Sequence, residues 1–544
     1  MCGEGYGVSA QGPADWLLAV CLGAALALTM FIYRPTPNWP RATDFAKPKE
    51  IACLAIAAAT FAGLLGVRRR SQLDRVDSLL AGAVSLTILS ICWATNKQFA
   101  LESAGVTAAA GVLFLAARQL PKKLNSYVQL SAAVIAMTAA IIAILEGLEL
   151  IPRVSQLGRG PGGTMGNRNY LSHLLVVAIP VTAMSLLVSR ARWRIVLSWL
   201  ASCVLVFAII ASRSRASWIA LTIAVVTIVI ASVVVRGPRQ RILLFVLSVV
   251  LGAILASFMP TSHLWRSTTP YSDTLKDLFD QSTGSGKGRI IQYRTTLDII
   301  ADAPLQGVGA GNWPIAYAAR AMPGDPSYRP LAVLPVGRLP LSDWLGIPAE
   351  RGGIVLLLLM AAVLQLVRWL WSAAHSLDAD VDARGAFVCG AGLSAAVFTV
   401  GAFDSVILTA AGASWIAVLV GLTRPHRAPV ITRAFDVRLA AGFFALVSVV
   451  ALLHSLRWMR SEQHLLRDLS PQAAAIVVRT DPNNYEARMI LSFRLVSRGR
   501  CEEAAPHLHR ALELFPTAPA PRELLGRCAL QPLPGSSRQS TSRP

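Results

Sequence analysis

Charge is scarce in this sequence. Asp, Glu, Lys and Arg make up 15% of its 544 residues and hydrophobic residues 54%, whereas soluble domains carry about 25% charged residues. That balance excludes an ordinary soluble domain. Acidic residues are scarcer still, 30 against 51 Lys and Arg, for a net charge of +21. Such an excess would suit nucleic acid. Membrane proteins, however, concentrate Lys and Arg in cytoplasmic loops, which accounts for it, so no nucleic-acid partner is expected. Eight cysteines are present, yet none shows a CxxC or Cys/His spacing that would hold a metal. Cys21, Cys53, Cys92, Cys203 and Cys389 fall in apolar runs, where cysteine behaves as a small hydrophobe. Neither metal nor cofactor is expected. A basic segment ahead of the first apolar run is also missing. Asp15 precedes that run instead, which therefore reads as an anchor and not as a cleaved signal.

Long apolar runs are plentiful. They fall near residues 16–33, 51–67, 78–95, 100–117, 127–147, 169–189, 195–212, 215–235, 242–259, 353–371, 385–403, 405–423 and 437–455. Each approaches the roughly 20 residues a helix needs to cross a bilayer. The expectation is an all-α polytopic membrane protein with about 12–13 transmembrane helices. If the spans alternate, Arg68–Arg70, Arg118 with Lys122-Lys123, Arg190–Arg194, Arg236–Arg241 and Arg424–Arg433 share one side. By the positive-inside rule that side is the cytoplasm. Segment 148–168, the 212–215 turn, a long loop at 259–348 and everything after about residue 456 then face outward. Arg34, Arg41, Lys47 and Lys49 also fall outside on this count, against the usual bias.

The chain divides into a membrane domain, 1–456, with its polar loop 259–348, and a soluble tail. Residues 457–531 are expected to be helical and resemble a tetratricopeptide repeat. Pro482 and Pro516 are 34 residues apart, the period of that repeat. Asn483 and Asn484 precede the first helix as caps, and Ser497–Arg500 supplies the turn. A generic helical hairpin is the alternative. Stacked repeats need about three units, so one unit would lean on the membrane domain or on a protein partner. Cys501 and Cys528 sit at helix ends that an antiparallel arrangement could bring together as a disulfide in an oxidising compartment. Residues 532–544, PLPGSSRQSTSRP from Pro532, read as disordered.

Four outward features carry polar chemistry. Gly162–Leu171 leads into the sixth span, and its glycines and helix N-terminus would suit an anion. Asn167 and Asn169 are the candidate binding residues there, an Asn-capped helix being the plainer account. Arg213 and Arg215 lie in a tight turn between spans seven and eight, where either phosphate binding or snorkelling to headgroups fits. Arg289, Tyr293 and Thr296 share one face of a helix over 289–300, which a solvated amphipathic helix would also show. Arg294 follows, and then the glycine run PLQGVGAGNW, 304–313. That run lacks the preceding strand of a nucleotide fingerprint and is expected to form a shaped re-entry toward the membrane. Last come Asp343 and Glu350, candidate general bases whose ordinary role would be as exposed loop acids. Arginines converging at an outer leaflet suit a diphosphate, because guanidinium keeps its charge and binds phosphate oxygens in pairs.

At these residues the chain resembles the bacterial O-antigen ligase and polymerase superfamily. The matching pieces are GNRN at 166–169, Ser214-Arg215, Arg289 with its helix, PLQGVGAGNW at 304–313 and SDWLGIPAERGG at 342–353. The resemblance implies a GT-C-type integral glycosyltransferase in a bacterial inner membrane. Its donor would be an undecaprenyl-diphosphate-linked glycan on the periplasmic side, and its acceptor another glycan or lipid A core. It implies that Arg215 and Arg289 bind the diphosphate, with Arg213 and Arg294 as further candidates. Ligases of the family carry a His, thought to activate the acceptor, where this sequence has Leu341. His173 and His263 lie elsewhere and match no motif. That departure weakens the ligase reading relative to the polymerase one. A transporter of lipid-linked glycans would use the same arginines without chemistry, although the spans show few embedded charges and no halves related by repeat. A scaffold acting through the tail is a third reading.

Overall fold

A computed structural model describes residues 12–34, 42–67, 73–154, 160–259, 269–277, 284–322, 324–377, 379–423, 436–467 and 470–530. Its helices open with α1 (Pro13–Phe31), α2 (Ala42–Gly66), α3 (Arg75–Leu89), α4 (Lys97–Ala117) and α5 (Lys122–Gly147). Next come α6 (Arg168–Val188), α7 (Arg192–Ala211), α8 (Arg215–Val234) and α9 (Arg239–Ser257). The polar loop holds α10 (Pro270–Lys276), α11 (Gly284–Asp302), α12 (Trp313–Ala318) and α13 (Asp343–Arg351). The bundle resumes with α14 (Gly353–Ala374), α15 (Val381–Phe403), α16 (Ala410–Leu422) and α17 (Val437–Arg467). The tail contributes α18 (Pro471–Thr480), α19 (Tyr485–Ser497), α20 (Cys501–Leu514) and α21 (Pro519–Leu530). The protein is an all-α polytopic membrane protein, with 12 helices long and apolar enough to cross a bilayer among the described residues.

The helices start where the sequence can satisfy free N–H groups. Asp74 and Asp77 form a reciprocal capping box at α3, and Asn96, Asn167, Asp380 and Thr409 cap α4, α6, α15 and α16 through their side chains. In hydrocarbon this matters more than in water, because an unpaired backbone group there has no solvent to turn to. Helix α6 is buried nearly all round, whereas α9 and α14 keep Leu243, Leu247, Val250, Ile254, Leu357 and Leu364 exposed. In a bilayer those side chains meet lipid.

The twelfth expected span is shorter than its apolar run. Residues 404–409 leave the helix to form a turn, and α16 begins only after the Thr409 cap. That turn exists because Asp343 accepts three of its backbone N–H groups, from Val406, Ile407 and Leu408, at 2.8, 2.9 and 3.2 Å. Helix α17 runs unbroken past residue 456 to Arg467.

Among the described residues, the loops expected to face outward lie at one end of the bundle, where the α3–α4 turn, the polar loop and the tail touch. Asn96 donates to the Leu514 carbonyl at 3.1 Å, Gln98 to Asp481 at 2.6 Å and Thr517 to the Ile315 carbonyl at 2.8 Å. Phe99 and Ile315 share one apolar cluster with Tyr485, Leu491, Leu508 and Phe515 of the tail. The tail thus leans on the membrane domain, and Cys501 is bonded to Cys528 across α20 and α21. Contacts at the opposite end join Arg118 to Asp74 and Lys122 to Asp382. The clusters Arg68–Arg70 and Arg424–Arg433 lie outside the described residues, as do Arg41, His263 and 532–544.

Charges that seemed misplaced in outward loops belong to a buried network. Arg34 pairs with Asp44 and with Glu462 of α17. Lys47 reaches Glu50 at 2.9 Å and Glu102 of α4 at 2.8 Å. Arg338 then links Glu102, at 2.6 Å, to Glu486 of the tail, at 2.9 Å. Lys49 donates to the Met30 and Ile32 carbonyls at 3.0 and 2.7 Å. Embedded charge is therefore more abundant than the hydropathy pattern suggests, and it is compensated by opposite charge and carbonyl oxygen.

Candidate functional site

The outward polar region is built on α6, α8, α11 and α13 around the 404–409 turn. Asn167 caps α6, its side chain accepting from the Asn169 N–H at 2.8 Å, so its evident local task is to start the helix. The Ser-Arg turn is taut: Arg213 adopts φ 53° and donates from Nε to Thr274 Oγ1 at 2.7 Å. Arg215 donates to the Asp277 carbonyl. Both arginines thereby hold α10 across the start of α8, where Trp218 stacks on Tyr271 at 6.4 Å.

Arg289 is half-buried, and its Nε is shielded from solvent without a hydrogen-bond partner. A guanidinium N–H left unmatched in such a place is costly unless a ligand completes it. One turn on, Tyr293 directs its hydroxyl to the Ala402 carbonyl at 2.8 Å and the Leu341 carbonyl at 3.2 Å. Burial pushes the Tyr293 phenol up to about 12, opposed by Arg289 and assisted by Asp404. Arg294, on the same helix, is exposed.

Asp343 and Glu350 are not exposed loop acids. They are 0% and 1% exposed. Asp343 is the clamp on the 404–409 turn, and burial pushes its carboxyl up to about 7 against the pull of its three N–H donors. Glu350 accepts from the Gly311 N–H at 2.9 Å, while its other oxygen is buried without a partner. Burial raises the Glu350 pKa, and Arg351 beside it opposes that rise. Arg351 reaches Ser103 at 3.2 Å, and burial lowers its own pKa.

The glycine run forms a junction between backbones. Val308 and Gly309 donate to the Ala349 and Glu350 carbonyls at 2.9 and 2.8 Å. Asn312 and Asn96 exchange hydrogen bonds at 2.7 and 3.1 Å. Gly309 has φ 96°, and a Cβ there would lie 2.5 Å from that of Ala94. Only glycine allows this approach of the loop to the α3–α4 turn.

Three residues absent from the motifs complete the region. His173, 1% exposed, places Nδ1 2.8 Å from Ser217 Oγ. Its Nε2 lies 3.4 Å from Asp404 Oδ2, without the alignment of a hydrogen bond. Asp404 was discoverable as the lone carboxylate within residues 385–423, since an acid in an apolar stretch is expensive to keep. His173 carried the same signal inside the sixth apolar run. For Ser217 there was none.

Together these features define a multi-pass membrane protein with a cationic, partly unsatisfied polar region at one end of its bundle. Residues 199–360 match the family model described as O-antigen ligase. The matched segment runs from within α7 into α14 and includes Ser214-Arg215, Arg289 and the 304–313 and 342–353 motifs. His173, Asp404 and the tail lie outside the matched segment. No curated protein matches the chain.

Proposed function

We propose that this protein is a membrane glycosyltransferase that moves a glycan from an undecaprenyl-diphosphate donor to an acceptor hydroxyl at the periplasmic face of a bacterial inner membrane. The observation that carries this reading is Arg289. Its buried, unmatched Nε faces the same outward region as the Ser-Arg turn, within the segment that matches the O-antigen ligase family. A diphosphate leaving group accumulates negative charge as its bond to the sugar breaks, and fixed guanidinium groups stabilise that charge. Arg215 and Arg213 serve the same ligand once they exchange the Asp277 carbonyl and Thr274 hydroxyl for phosphate oxygens. Asn167 and Asn169, at the start of α6, would border the glycan. Arg294 plays the least part, being exposed.

The reaction is written as ligase-like, with a polymerase that passes the glycan to another repeat unit as the alternative: residues 199–360 match the O-antigen ligase model, while Leu341 stands where ligases of the family carry a His. The test is purified protein with undecaprenyl-diphosphate glycan as donor and either lipid A core or a second donor molecule as acceptor. The expected result is release of undecaprenyl diphosphate that Arg289→Ala abolishes, with product size choosing between ligase and polymerase. Donor binding without release would instead mark a transporter or scaffold.

A further inference from the structure

The backbone around Leu341 shows what lies beside the position of the missing His. The Leu341 N–H donates to Gln292 Oε1 at 2.6 Å, and its carbonyl shares the Tyr293 hydroxyl with that of Ala402. Ser405 donates to the Pro340 carbonyl at 2.6 Å, and Ser342 to that of Gly401 at 3.1 Å. Segment 340–343 therefore lies along residues 401–408, two positions from Asp404. Of the other nearby carboxylates, Asp343 is held by three N–H groups, and Glu350, on the far end of α13, takes the Gly311 N–H through one oxygen.

From Asp404 a polar chain leads back to the Ser-Arg turn. His173 Nε2 faces Asp404, His173 Nδ1 meets Ser217 Oγ at 2.8 Å, and Ser217 Oγ is 3.0 Å from Ser214 Oγ. Ser172 adds a contact to Ser217 at 2.7 Å. Ser214 immediately precedes Arg215 and opens α8. Hydroxyl groups donate and accept at once and rotate freely, so this chain can carry a proton from the edge of the arginine site to a buried imidazole backed by a carboxylate. Burying an imidazole against a carboxylate among apolar helices is expensive, and a purely packing role would be met by apolar residues.

We infer that His173, seated on Asp404, is the proton acceptor that replaces the missing His, reached through the hydroxyls of Ser217 and Ser214. This rests on the transferase reading above. In the step, the acceptor oxygen bonds to the anomeric carbon as the bond from that carbon to the phosphate oxygen breaks. The electron pair leaves on the diphosphate, held by Arg215 and Arg289. The acceptor's proton passes to the Ser214 hydroxyl, each hydroxyl hands on its own, and Nδ1 of His173 receives one. The imidazolium beside Asp404 returns it to solvent after product departs. His173 and Asp404 act through the serines and are positioning and proton-holding residues.

The test compares wild type with His173→Gln and Ser217→Ala, reading kcat/KM against pH, donor affinity and the unfolding midpoint. Tyr170 on α6, Arg289 and Tyr293 on α11, and Asp343 on α13 are the other charged or titratable groups around the dyad. The expected result is a fall in turnover of about 10²–10⁴-fold for His173→Gln, loss of the acid limb of the profile, and unchanged donor affinity. Ser217→Ala should lower turnover in the same way. A wild-type pH profile in His173→Gln overturns the inference, as does a loss of turnover matched by losses of donor affinity and midpoint, which would make the chain a structural clasp. If Arg289→Ala abolishes release while His173→Gln does not, the transferase reading stands and this assignment falls. If wild type releases no undecaprenyl diphosphate, both fall.

Discussion

Two polar regions share the tail-bearing end of this bundle, and they differ in how far their groups are paired. Around Glu102, Lys47 and Arg338 each meet an acid within 2.9 Å, and Arg338 also stacks its guanidinium 4.4 Å above the Phe99 ring. Around Arg289 and His173, buried nitrogens stand without a hydrogen bond, as His454 Nε2 also does 3.4 Å from Glu102. Matched charge fixes geometry, here tying α2, α4, the polar loop and the tail together. An unmatched guanidinium N–H such as that of Arg289 is where a ligand completes the valences. The first region is framework, and the second is where chemistry belongs.

The contrast can be broken from either side. Glu102→Gln should have the largest effect on stability, about 3 kcal/mol, because it removes the acid that Lys47 and Arg338 share and leaves each with a single partner, Glu50 and Glu486. A falling unfolding midpoint, with the tail becoming susceptible to protease, would show it. Arg289→Ala should do the reverse, costing about 10²–10³-fold in turnover while the midpoint holds; a drop in midpoint would reassign Arg289 to the framework. Removing the Cys501–Cys528 bond by Cys528→Ser should loosen the tail by about 2–4 kcal/mol. Thiol titration of the denatured protein should reveal two further thiols on reduction. Gly309→Ala should cost about 1–3 kcal/mol through its positive φ and the contact with Ala94, measurable as a lower midpoint. The smallest change is expected of Arg294→Ala, exposed on α11, with stability within about 0.5 kcal/mol and turnover nearly intact.

Much of this was readable from residue order. Hydropathy placed the long apolar helices, missing the start of α2 and the end of α17 by about two to three turns, and Asp74, Asn96 and Asn167 announced helix starts. The Ser-Arg pair and Arg289 were visible as arginines on the side that usually lacks them. Asp343 and Glu350 were visible as well, but their surroundings were not, and burial turned two apparent loop acids into backbone clamps. Lys47 and Lys49 looked like violations of charge bias because their partners are remote, Glu102 in α4 and the carbonyls closing α1.

The sequence by itself determined the class of protein, the helices, the family segment and the cationic character of the outward face, since each depends on composition and on periodicity along the chain. Only the tertiary structure decided which charges are neutralised, that the glycine run joins backbones, and that His173, Ser217 and Asp404 from three separate segments meet. The physical reason is that hydropathy and helix capping act over a few residues. Ion pairing and proton transfer act over a few ångströms, whatever separation in the chain those ångströms span.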